Sequence, residues 1–224
     1  MTPNEIDQIS SNLETQHFGD TIMKIIIVGA NGVLGKAVTQ SLKERHEVVE
    51  IGLTSGDFQA DITDLSSVRN MYEKVGPFDA LVSTTGAVHF GPLEEIGQDQ
   101  WMLGINDKLM GQINLVTEGL KHIADNGSFT LTSGIISQDP IRYGTAATMV
   151  CRALEGFAAS AALEMPRGIR INVVSPTILE ESVESFGPFF QGFEPVPASR
   201  AALGFVKSVE GLKTGSTFEV KGIL

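Results

Sequence analysis

The heptapeptide "GANGVLG", residues 29–35, carries the clearest chemical signal in the chain. It follows the apolar run "KIIIV" and places Gly29, Gly32 and Gly35 three residues apart. After a strand and before a helix, the three glycines have separate roles. One allows a tight turn, one admits a pyrophosphate, and one lets helix and strand pack closely. The helix that begins there offers free N–H groups and a partial positive charge to an anion. Gly29, Asn31, Gly32, Val33, Leu34 and Gly35 are therefore candidate contacts for a dinucleotide. A tight strand-to-helix turn without a ligand is the alternative.

The elements that would hold this turn read as alternating short strands and helices. Strand-like runs lie at 24–30, 47–52, 78–84, 128–133, 169–176 and 216–220. Helical patterns lie between them, from Leu34 to about Arg45, over 65–75, 97–123 and from Gly144 to Met165. In 65–75, Leu65, Val68, Met71, Tyr72 and Val75 recur at helical spacing. Near-continuous apolar strands alternating with helices predict a parallel sheet covered on both faces. The expected fold is a single α/β domain of the doubly wound Rossmann type over residues 23–224, with 1–22 as a polar N-terminal extension, expected to be poorly ordered.

Composition narrows the partners. A chain of 224 residues, 42% hydrophobic, is long enough to bury a substantial core. No apolar run reaches membrane-spanning length. The net charge of −11 without a Lys/Arg cluster argues against nucleic acid or an anionic membrane as partner. Cys151 is the single cysteine, which suits a reducing cytoplasm. No Cys/His cluster suggests a metal. A small-molecule ligand is expected.

Six ordered motifs give the chain a specific resemblance. "GANGVLG", "DITD" (61–64), "LVSTTGA" (81–87), "FTLTSG" (129–134), "GIRINVVSPTIL" (168–179) and "TGSTFEVKG" (214–222) resemble, in order, the motifs of the short-chain dehydrogenase/reductase family. The resemblance spans essentially all of 23–224 and implies the fold and a nicotinamide cofactor. It adds Asp61 and Ile62 near adenine, Thr84 and Gly86 after the fourth strand, and Pro176 and Ile178 over the nicotinamide. The departures are Val33 for a glycine, Thr84-Thr85 for Asn-Ala, and Thr177 for the glycine after Pro176. An acidic residue ending the second strand would select NAD by binding the ribose 2′-OH. Gly52 stands there, and the reading leans to NADP over NAD, although Leu53 occupies the place of a frequent arginine.

In this family a tyrosine exchanges the proton on the substrate oxygen, a serine orients that oxygen, and a lysine four residues after the tyrosine lowers the phenol pKa and holds the ribose. A phenol near ~10 can be drawn toward neutrality by a cation, and one helical turn sets both groups on one face. Ser133 holds the serine position. Aligned on "CRALEGF", Ala147 and Cys151 occupy the tyrosine and lysine positions, and Tyr143 lies one turn earlier. Counting from Trp101, Lys108 takes the place of the family's structural asparagine, beside the missing lysine. The paired change suggests that Lys108 supplies the lost cation and binds the nicotinamide ribose; a solvated helix lysine is the alternative. Ser133, Lys108 and Tyr143 form the candidate catalytic set, with Tyr143 either a relocated proton donor or a loop residue. His89 is a possible substrate contact.

Phe186, Phe189, Phe190 and Phe193 could form an apolar lid over a small pocket, or core packing beneath a loop. The helices at 97–123 and 144–165 resemble the family's dimer-forming pair, so a homodimer or homotetramer is expected. Two functions remain: an NAD(P)-dependent oxidoreductase acting on a small carbonyl or alcohol, or an NAD(P)-binding sensor or scaffold without turnover.

Overall fold

A computed structural model describes residues 21–223. The N-terminal extension, except Thr21 and Ile22, lies outside the described residues. In chain order the elements are β1 (Lys24–Val28), α1 (Val33–Leu42), β2 (Glu47–Gly52), β3 (Phe58–Gln59), α2 (Leu65–Val75) and β4 (Phe78–Ser83). A long helical stretch follows, built from α3 (Gln98–Gly104), a π-helical segment (Ile105–Gly111) and α4 (Gln112–Gly119). Then come β5 (Ile123–Thr132), α5 (Thr145–Ala161), β6 (Arg170–Pro176), the short α6 (Val183–Phe186), α7 (Ala198–Glu210) and β7 (Thr217–Val220).

The strands form one seven-stranded sheet in the order β3-β2-β1-β4-β5-β6-β7. Every pairing is parallel. Alternation along β1 sends side chains to two cores. Ile26 and Val28 meet α2, α4 and α5 through residues such as Val68, Leu115 and Leu154. Ile25 and Ile27 meet α1 and α7 through Val38, Leu42 and Phe205. This is the doubly wound fold expected from the strand–helix alternation. The order reverses between β1 and β4, which opens a crevice at the carboxyl ends of those strands, where such sheets bind ligands.

The short β3 and α6 and the longer α7 escaped the sequence pattern. Helix α7 contains Gly204, which weakens a helical signal. A Cβ there would lie 2.9 Å from Val174 Cγ1, so the glycine lets α7 close onto β6. The stretch 97–123 is not one regular helix: it passes through the π segment, and β5 already begins at Ile123. No helix among the described residues is long and apolar enough to cross a membrane.

The first strand–helix junction depends on Gly35. A Cβ there would meet the Gly29 carbonyl oxygen at 2.1 Å and Ala30 Cα at 2.8 Å. Both obstacles are backbone, so neither can swing aside. Gly35→Ala should therefore destabilise the protein by about 1–3 kcal/mol in urea unfolding, the range for overpacking a tight contact. An unchanged midpoint would show that the turn is looser than this.

Candidate active site

The glycine turn is built by backbone contacts. The N–H groups of Gly29 and Ala30 both donate to the Ile51 carbonyl, at 2.8 and 3.3 Å, tying the turn to the end of β2. Gly29 has φ +87°, and a Cβ on it would lie 2.7 Å from Thr85 Cγ2, so both its conformation and its space call for glycine. The Thr84 hydroxyl donates to the carbonyls of Val28 and Gly29, 3.1 Å from each, and fastens β4 to the turn. Gly32 differs: its nearest obstacle is 3.5 Å away, so the space before it is open. It caps α1 with no side-chain hydrogen bond, leaving the first N–H groups of that helix available to an anion. Val33 and Leu34 begin the helix.

Beside the turn lies a cleft of about 260 Å3, lined in part by Gly29, Gly52, Leu53, Asp61, Ile62 and Gly86. The Asn31 amide donates to Ser55 Oγ at 2.7 Å and ties the glycine turn to the loop after β2. A Cβ at Gly52 would lie 2.4 Å from the Ser55 carbonyl oxygen and 2.9 Å from Asn31 Nδ2. No carboxylate can stand at that position with this backbone. Asp61 is exposed and accepts from the Thr63 N–H and hydroxyl at 2.9 and 2.7 Å, an arrangement that fixes its loop. Pro176 ends β6 and Ile178 is buried just beyond it.

Lys108 sits on the π-helical segment and is only 7% exposed. Its stem packs against Gly86, where φ is +128° and a Cβ would lie 2.5 Å from Lys108 Cγ. Any side chain at position 86 would displace the lysine. Among the described residues the ammonium has no hydrogen bond or ion pair, yet it is not sealed from solvent. Gln112, fully buried one turn later, anchors the segment: its amide N–H donates to the carbonyls of Lys108 and Thr132, and its oxygen accepts from the Thr132 N–H at 2.9 Å. The π segment is thereby fixed against the end of β5.

Helix α5 presents Ala147, Cys151 and Glu155 at successive turns of one face. Ala147 and Cys151 join Ile135 and Ile136 in a small apolar cluster, with Val88, Phe90, Phe190 and Phe193 packed on it. Burial pushes the Cys151 thiol up; the Lys108 charge opposes this shift and Glu155 adds to it, so both charges reach the sulfur. Ser133 donates to Glu155 Oε1 at 2.7 Å, Ser137 donates to the same oxygen at 2.5 Å, and Gln138 donates to Oε2 at 2.9 Å. Arg152 lies 3.6 Å from Oε2.

Tyr143 stands apart from Ser133, with no polar contact between them among the described residues. It has φ +66°, its carbonyl accepts from the Gly91 N–H at 2.9 Å, and its ring lies 4.6 Å from the Arg142 guanidinium carbon. With Asp139, Phe189 and Phe193 it lines a cleft of about 490 Å3. His89 packs its ring against Gly91. The other tyrosine, Tyr72, is fully buried and donates to the Leu115 carbonyl.

A family model described as enoyl-(acyl carrier protein) reductase matches residues 17–212. The chain belongs to the short-chain dehydrogenase/reductase family. It is 51% identical to the protein lin1944 from Listeria innocua, with a TM-score of 0.87, covering 88% of this chain and 99% of that one. A small-chain dehydrogenase solved in complex with NADPH shares the fold at 22% identity and a TM-score of 0.81, covering 90% of this chain and 97% of that one. A protein of Methylorubrum extorquens described as an uncharacterized oxidoreductase is 20% identical, covering 89% of this chain and 87% of its own. The short-chain dehydrogenase/reductase assignment makes the chain an oxidoreductase with an NAD(P)-binding Rossmann fold.

Within that family setting, Glu155 and Gln112 are the residues that motif reading missed. Glu155 had a signal: it is a carboxylate on the buried stripe Ala147–Cys151–Glu155, where an apolar residue is expected. Gln112 had none beyond its place in the helix. Glu155→Ala would strand two buried donors, the Ser133 and Ser137 hydroxyls, and should cost about 1–3 kcal/mol in thermal or urea unfolding. Glu155→Gln keeps an acceptor oxygen and should cost less. Equal losses would show that the carboxylate geometry itself is required.

Proposed function

We propose that this chain is an NADP(H)-dependent reductase of a small carbonyl compound, a divergent family member in which Lys108 replaces the cation of the absent Tyr-x-x-x-Lys pair. One observation carries the reading. A lysine more than nine-tenths buried, with no hydrogen bond or ion pair to its ammonium among the described residues, packs its stem behind Gly86 of the crevice and lies within electrostatic reach of Cys151, which stands at the family's lysine position. An unpaired buried charge is costly, so its retention there points to a ligand that completes it.

The residues present fit a nicotinamide dinucleotide. The open face of Gly32 and the uncapped start of α1 suit the pyrophosphate, and Asp61 and Ile62 border the adenine end. The cofactor supplies the hydride; the chain supplies position and charge. Lys108 would hold the nicotinamide ribose, while Pro176 and Ile178 would cover the ring. Ser133, kept in place by Glu155, would fix the end of β5 beside the substrate, and Tyr143 would form the substrate-side wall. Two features support NADP over NAD: position 52 has no room for a ribose-selecting carboxylate, and the small-chain dehydrogenase above was solved with NADPH. Assembly through α4 and α5 is supported by an apolar groove that includes Val116, Leu120, Phe157 and Met165.

Titration of NADPH and NADH fluorescence tests this reading, with NADPH expected to bind more tightly. Lys108→Met should weaken NADPH binding by about 10- to 100-fold, the loss of a hydrogen bond to a charged donor, with little change in unfolding temperature. Unchanged affinity in a folded variant would remove Lys108 from the site. Tight binding without turnover on any carbonyl would favour a sensor instead.

A further inference from the structure

Hydride addition to a carbonyl leaves an electron pair on oxygen, and the fate of that pair limits which substrates a site can reduce. From a simple ketone it becomes an alkoxide, a base about as strong as hydroxide. Such a product needs a positioned acid, worth about 10²–10⁴ in rate. When a quinone oxygen takes the hydride, the pair is delocalised through the ring into a phenolate at the other oxygen, whose parent phenol has pKa near ~10. That anion persists in water without proton transfer in the same step.

The surroundings of Ala147 match the second case. The position is fully buried and apolar, packed among Ile135, Ile136, Cys151, Phe190 and Phe193. The nearby protons are committed elsewhere. Ser133 gives its hydrogen to Glu155, and Cys151 is enclosed at 2% exposure. Tyr143 lies in the outer cleft under Arg142. Lys108, on the reading above, is engaged with the ribose, and its positive field favours a product anion.

The outer cleft joins aromatic and polar walls. Phe90 lies 5.8, 5.3 and 6.5 Å, ring centre to ring centre, from Phe186, Phe189 and Phe190 in tilted pairs, and Phe190 meets Phe193 edge-on at 5.5 Å. Phe189 and Phe193 face the cleft of about 490 Å3, beside Asp139, Arg142 and Gln191. Such a volume takes a two-ring compound, and aromatic faces and edges next to polar groups suit a π-system that carries oxygens.

We propose that the substrate is a planar quinone-class acceptor, reduced by hydride and protonated afterwards by solvent. One quinone oxygen takes the hydride, forming its O–H bond as the C–H bond of the reduced dinucleotide breaks; the two electrons pass through the ring to the other oxygen, giving the hydroquinone monoanion and the oxidised dinucleotide. Water then delivers one proton to the phenolate oxygen, and no other oxidant or reductant is needed. The inference rests on the oxidoreductase reading and deepens it.

The experiment uses the full chain with NADPH and compares 1,4-naphthoquinone with 1-tetralone, two bicyclic acceptors of similar size, after subtraction of the uncatalysed rate. The expected kcat/KM ratio favours the quinone by about 100-fold or more, the worth of the absent general acid. Binding of naphthoquinone to the NADP-loaded protein, followed by saturation-transfer NMR, should weaken on the order of 5-fold in Phe189→Leu. Tetralone reduced as well as quinone would overturn the proposal. So would naphthoquinone left inert by protein that binds NADPH, and in that case the cofactor reading survives. Failure to bind NADPH would bring down both.

Discussion

A lysine more than nine-tenths buried, with no hydrogen bond or ion pair to its ammonium among the described residues, is the constraint around which the candidate site is arranged. A charge in that setting is costly unless a partner completes it. The surrounding residues are consistent with deliberate placement. Gly86 gives up its side chain and adopts a positive φ so that the Lys108 stem can pass. Gln112 commits both ends of its amide to fixing the π segment to β5. The π segment itself changes the angular register of the helix, and such bulges recur at functional sites because they redirect a side chain.

Helix α5 is apolar at Ala147 and Cys151 and charged at Glu155 on the same face. Ala147 and Cys151 are small and apolar, so the Phe-rich segment can pack down on them. One turn further, Glu155 gathers Ser133, Ser137 and Gln138 and so holds the loop between β5 and α5. Lys108 on the π segment and Glu155 on α5 are the two charges whose fields meet at Cys151. The sheet beneath is ordinary for the fold, and the crevice at the β1/β4 reversal keeps its glycine turn.

The chain made some of this legible and hid the rest. The parallel sheet was readable because apolar strands such as 24–28 and 169–176 are buried on both faces and admit few polar residues. The glycine turn was readable because Gly29 and Gly35 answer to steric limits that no other residue meets. Lys108 emerged by counting from Trp101, since its type is out of place at that position. Helix α7 stayed hidden because Ala, Gly and Ser dilute its periodicity, although its packing on α1 and β6 is close. The π segment was invisible because a one-residue bulge leaves composition untouched. Glu155 was overlooked because a single glutamate on a helix is usually solvated, and only the fold shows it turned inward with three donors.

The central claim is that the cation of the active site now comes from the π segment. A crystal structure of the NADPH complex tests it most directly. The expected result places the Lys108 ammonium within hydrogen-bonding distance of the nicotinamide ribose hydroxyls, with Cys151 making no polar contact to the cofactor. A ribose held by other residues, with Lys108 turned away from it, would contradict the claim.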